Sequence, residues 1–79
     1  MSHSYFNFRH TELKEIMKEL ERWYNVNVSY EAAVPGDEFT GYISRKVKLS
    51  NVLKMLEQGG GIKFSIDSKM VHVRPVSIN

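Results

Sequence analysis

Three histidines, a run of three glycines, helix-spaced glutamates and lysines, and one short basic cluster are the residues of this 79-residue chain whose types could do chemistry. His3, His10 and His72 lack the His-x-x-x-His spacing that puts two imidazoles on one helix face, and there is no cysteine. No metal site is therefore expected, and no cofactor. Gly59-Gly60-Gly61 would cradle a phosphate only by offering N–H groups at the start of a following helix. The run instead follows a helical pattern and precedes a strand pattern, the place of a helix-ending turn. Glu12, Glu15, Glu19 and Glu21 interleave with Lys14, Lys18 and Arg22 as on a solvated, mixed-sign helix face. General acid–base catalysis needs carboxylates in a desolvated cleft, which this pattern does not provide. Arg9 and Asn25 can be nominated for an acylphosphatase-like site, but no anion-cradling loop surrounds Arg9. The expectation is a chain without catalytic residues, not an enzyme.

Arg45-Lys46-x-Lys48, with Lys54 close behind, is the densest basic cluster. Eleven basic and nine acidic residues leave a formal charge of only +2, too mild a balance to argue for nucleic acid or a membrane surface. Phe39-Thr40-Gly41-Tyr42-Ile43 also lacks the leading basic residue and the second spaced aromatic of an RNA-recognition strand. A small nucleic-acid-binding α+β domain stays a lesser alternative.

What must position any site is one core. A composition 42% hydrophobic and 25% charged suits a single globular domain. At this size one core supplies about 3–5 kcal/mol. No window approaches the roughly 18 apolar residues of a membrane helix. Residues 5–75 are assigned to the domain, 1–4 to an expression remnant or unordered start, and 76–79 to a tail.

Tyr5-Phe6-Asn7-Phe8 reads as an aromatic strand. Thr11 is a helix N-cap by type, and Leu13, Ile16, Met17, Leu20, Trp23 and Tyr24 form one apolar helix face ending at Asn25. Val26, Val28 and Tyr30 alternate with polar residues as in a half-buried strand. Pro35-Gly36 marks a turn. Phe39, Gly41 and Ile43 then share a strand face, and Leu49, Val52, Leu53 and Leu56 a second helix stripe, capped at Lys48 or Ser50.

A shift of 36 positions lays Leu13 on Leu49, Met17 on Leu53 and Leu20 on Leu56, with Lys18/Lys54, Glu21/Glu57 and Ser29/Ser65 identical. The fold class is α+β, in the order β-α-β-β-α-β-β, with two β-α-β units whose amphipathic helices pack on small β-sheets. The predicted core is Leu13, Ile16, Met17, Leu20, Trp23, Val28, Phe39, Leu53, Leu56, Phe64, Val71 and Val73. The last two strands form a hairpin, and only an even loop sets Val71 across from Ile66 and Val73 across from Phe64. Ser68-Lys69 or the four residues Asp67 to Met70 satisfy this.

Leu20-Glu21-Arg22-Trp23-Tyr24-Asn25-Val26, Phe39-Thr40-Gly41-Tyr42-Ile43, Val52-Leu53-x-x-Leu56, Phe64-Ser65-Ile66 and Met70-Val71-His72-Val73 together resemble the C-terminal domain of FecR-like anti-sigma factors. The likeness spans about residues 5–74, and its specific part is the helix-ending run followed by Phe-Thr-Gly. The resemblance implies a periplasmic domain of an inner-membrane protein that takes a signal from the signalling domain of a TonB-dependent outer-membrane transporter. It also implies control of a sigma factor through an N-terminal part beyond a membrane helix, neither of which this chain contains. The same design resembles the secretin and TonB short N-terminal domain on the transporter side, an alternative that the Arg-Trp-Tyr run disfavours.

A domain of this kind transmits through a surface. The last strand, as a terminal strand, is the expected open edge, where a partner strand can pair with free N–H and C=O groups. Lys63, Ser65, Met70, His72 and Arg74, on the polar side of the hairpin, are the candidate protein-binding residues.

Overall fold

The computed structural model describes residues 5–33, 38–59 and 61–76. Seven elements follow in the expected order: β1 (Tyr5–Glu12), α1 (Leu13–Tyr24), β2 (Asn27–Tyr30), β3 (Glu38–Ser44), α2 (Leu49–Glu57), β4 (Ile62–Asp67) and β5 (Met70–Pro75). The Pro35-Gly36 turn lies outside the described residues.

Helix α1 forms because its apolar positions recur every three or four residues, and Leu13, Ile16, Met17 and Leu20 are buried. It ends where Asn25 takes the left-handed conformation (φ 56°, ψ 53°) and gives its N–H to the Glu21 carbonyl, the C-cap geometry that asparagine tolerates. Its start differs from expectation. Thr11 belongs to β1, and its hydroxyl accepts the Arg9 N–H at 3.0 Å and donates to the Arg9 carbonyl at 3.2 Å. That local turn accompanies a register shift between Phe8 and Thr11, with His10 at φ 48°, so the hydroxyl serves a bulge rather than a cap. Glu12 and Lys48 hold the two N-cap positions without a side-chain bond.

The strands form two sheets. β1 pairs antiparallel with β3, and a second sheet runs β2-β5-β4, with β5 parallel to β2 and antiparallel to β4. The first strands of the two units thus pair with each other, and their second strands flank β5. The hairpin closes through the two-residue Ser68-Lys69 turn, with Ser68 at φ 59°. Val71 faces Ile66, and Val73 faces Phe64, the register that places both apolar rows on one side.

Between helices and sheets lies the core: Phe6 and Phe8 of β1, the α1 face, Val52, Leu53 and Leu56 of α2, Ile62, Val71 and Val73, none more than 3% exposed. Each such side chain contributes about 1.5–3 kcal/mol by burial. Val28, Phe39 and Phe64 pack against this core only partly buried. Trp23 is a correction: it is 49% exposed, because α1 outruns the core and its last turn lies over the β3–α2 connection.

Candidate protein-binding surface

Alternate residues of a strand share a face, so the burial of Val71 and Val73 sends Met70, His72 and Arg74 to the opposite side of β5. On β4, Lys63 stands across from Arg74, Ser65 from His72 and Asp67 from Met70. On β2, Asn27 pairs with Met70 and Ser29 with His72. Lys63, Ser65, Met70, His72 and Arg74 are thereby gathered on one face, to which Asp67, Asn27 and Ser29 add. Lys63, Ser65 and Arg74 are exposed, whereas Met70 and His72 are half-covered by their neighbours. The His72 Nδ1 lies 3.5 Å from a carboxylate oxygen of Glu31, just past β2.

The topology corrects the expected edge. β5 is the central strand of its sheet, bonded on both sides, so its backbone has no row of free groups for a partner strand. Among the described residues the open edges of this sheet are β2 and β4, and each is closed at one point by a carboxylate. Glu21 accepts the Val28 N–H at 2.8 Å, and Glu57 accepts the Phe64 N–H at 2.8 Å. In both cases the acceptor lies seven residues ahead of the donor, on the preceding helix. Spending an outward amide on an internal carboxylate blunts an edge against foreign strands.

The helix-ending run is an anchor. The Trp23 indole N–H donates to the Arg45 carbonyl at 3.1 Å, and the Tyr24 hydroxyl to the Val47 carbonyl at 2.6 Å. Burial pushes the Tyr24 phenol above its ordinary value. Tyr30 is pushed up by burial first and then by the Glu21 charge. Of the basic cluster, Lys46 and Lys48 are exposed while Arg45 is half-buried against Phe6 and Trp23. Asn25 is spent as a helix cap, and Arg9 is exposed on β1. His10 lies 3.6 Å from Glu38 at the bulge. Among the described residues no three His, Asp or Glu side chains gather around a common point, and no helix is long and apolar enough to cross a membrane.

The paired glutamates were missed as functional residues, although their signal is present in the sequence: Glu21 and Glu57 match under the 36-residue shift. The environment of Arg45 has no such signal, since it depends on residues 22 and 39 positions away.

Two β-α-β units sharing one paired ribbon and one three-stranded sheet define a small two-unit α+β domain. The family model described as FecR, C-terminal matches residues 5–73, and the chain belongs to that family. Its fold is also that of two crystal structures from Parabacteroides distasonis ATCC 8503 titled "putative anti-sigma factor", each at 22% identity over 92% of this chain, with TM-scores of 0.81 and 0.80. The chain spans 34% of the length of those solved chains. Among curated proteins none matches the sequence.

Proposed function

We propose that this domain is the receiving module of a FecR-like anti-sigma factor. It lies in the periplasm and takes a signal from the signalling domain of a TonB-dependent outer-membrane transporter. Its contact surface is the outer face of the three-stranded sheet. Membership of the FecR C-terminal family supports the first statement over the transporter-side alternative. The observation supporting the contact surface is the convergence of Lys63, Ser65, Met70, His72 and Arg74 on one solvent-facing sheet surface. Met70 provides an adaptable apolar contact amid polar neighbours. Lys63 and Arg74 select an acidic surface and hasten encounter more than they deepen affinity. The sigma factor would be reached only through sequence outside this chain.

Because β5 is central and both open edges carry a glutamate, contact through side chains on the face replaces strand addition at β5. The test is a chemical-shift map of the domain titrated with the cognate transporter's signalling domain. The expected shifts lie along residues 63–74. Shifts confined to α1 and α2 would refute the surface, and no shifts at all would refute the receiving role. Salt-sensitive retention of DNA or RNA, lost on neutralising Arg45, Lys46 and Lys48, would favour the nucleic-acid alternative.

A further inference from the structure

Away from the sheet face, Phe6, Glu19, Arg22, Trp23 and Arg45 line a cleft of about 380 Å³, within the range of small ligand sites. Its floor is built around one guanidinium. The Arg45 Cζ lies 4.6 Å from the Phe6 ring centroid and 4.8 Å from that of Trp23. The two rings meet edge to face at 87°, so the guanidinium occupies the corner between them. Phe6 is buried in the core. Trp23 is tied to the same residue a second time, through its indole N–H on the Arg45 carbonyl. The arginine head is therefore held in place, among the described residues, without an acidic partner.

The charges are unbalanced. Arg22 and Arg45 face one carboxylate, Glu19, and among the described residues none of the three forms an ion pair within 4.0 Å. The Arg45 Nε is withdrawn from solvent and has no hydrogen-bond partner among the described residues. A stacked guanidinium has already lost the freedom that binding would otherwise cost it. Aromatic walls lower the local dielectric and strengthen any ion pair formed against them.

We propose that this cleft binds a carboxylate side chain, Asp or Glu, presented by a partner protein. The planar fork of Arg45 matches a carboxylate in two-point contact, and Arg22 adds a second positive charge. Cations are repelled by the two arginines. A dianionic phosphate doubles the attraction to the two arginines as well as the repulsion from Glu19, so charge alone does not select between the anions and the phosphate arm of the test does. Trp and Arg are among the residue types in which interface energy concentrates, which points to a protein's side chain as the source rather than a free metabolite. None of the cleft residues belongs to the β4–β5 face, so this contact stands or falls separately from the one proposed there.

The test is a titration of the isotope-labelled domain with poly-L-glutamate of about ten residues at low salt, where screening is weak. The Arg45 Nε–H and Trp23 Nε1–H resonances are followed. Both should shift saturably with poly-L-glutamate and not with poly-L-lysine of equal length. Arg45→Gln should weaken binding at least about tenfold, as expected for losing a bidentate charged contact, while Lys69→Gln, at an exposed turn lysine outside both surfaces, leaves it unchanged. Glu19→Gln, which preserves packing, should tighten binding several-fold, and it decides the matter if Arg45→Gln fails to fold. Shifts spread over all basic side chains, equal binding by Arg45→Gln, or weaker binding by Glu19→Gln would each overturn the proposal. Saturation by inorganic phosphate or free glutamate at lower concentration than the peptide would do so too.

Discussion

Glu57 lends its carboxylate to the N–H of Phe64 at 2.8 Å, repeating across the two units what Glu21 does for Val28. Glu57→Ala leaves that amide unpaired at a half-buried edge and should cost about 1–3 kcal/mol. Glu57→Gln keeps an acceptor oxygen and should cost clearly less. Urea unfolding of the two variants makes the comparison, and equal losses would mean that the charge, not the bond to Phe64, matters.

Leu20 has no exposed surface and sits where α1 crosses the core. Leu20→Ala should cost about 2–5 kcal/mol, enough to unfold much of a domain this small. Trp23→Phe, in contrast, removes one bond from a half-exposed ring and should cost only about 0.5–1.5 kcal/mol. Thermal melts of both variants check the ranking.

Tyr24 and Tyr30 both hold their protons more tightly in the folded state than the ordinary value of 10.0. With the folded value raised, their contribution is fully present below pH 10.0 and is lost as pH climbs through that value toward the folded one. The urea midpoint should fall between about pH 8 and about pH 11. Replacing both tyrosines by phenylalanine should flatten that decline, and an unaltered slope would show that other groups govern it.

Ser68 occupies the first position of the two-residue hairpin turn at φ 59°, a conformation that costs an L-residue about 1–2 kcal/mol. Ser68→Gly removes that strain but makes the unfolded chain freer by about 0.5–1 kcal/mol. The net expectation is a stabilisation of about 0.5 kcal/mol, read as a melting temperature raised by a few degrees. A lowered melting temperature would mean that the serine hydroxyl does more than occupy the turn.

Most signals decided by neighbours in sequence were legible, Thr11 excepted, whose hydroxyl turns back to Arg9 instead of capping α1. The α1 stripe, the Asn25 cap and the Val71–Ile66 register all follow from periodicity, a residue's tolerance of positive φ, or an even loop. The five residues of the polar sheet face were reached in the same way. What stayed hidden depends on distant partners. Nothing near Val71 announces that Val28, 43 positions earlier, will pair beside it in parallel, so the last strand looked like an edge when it is the centre. Trp23 continued an apolar stripe, yet its place is set by the Arg45 carbonyl, which no periodicity reveals.

The position of β5 also bears on when the domain can exist. A chain made from its N-terminus reaches Met70 only after β2 and β4 are complete, and neither pairs with the other. Until then both carry inner edges as well as outer ones, and the glutamates cover only the outer. Domains fold as units during synthesis at about 5–20 residues per second, but here the larger sheet has no stable partial form to fall into. Its closure awaits β5, so a chain cut short before that strand would present two unpaired inner edges instead of a shortened domain.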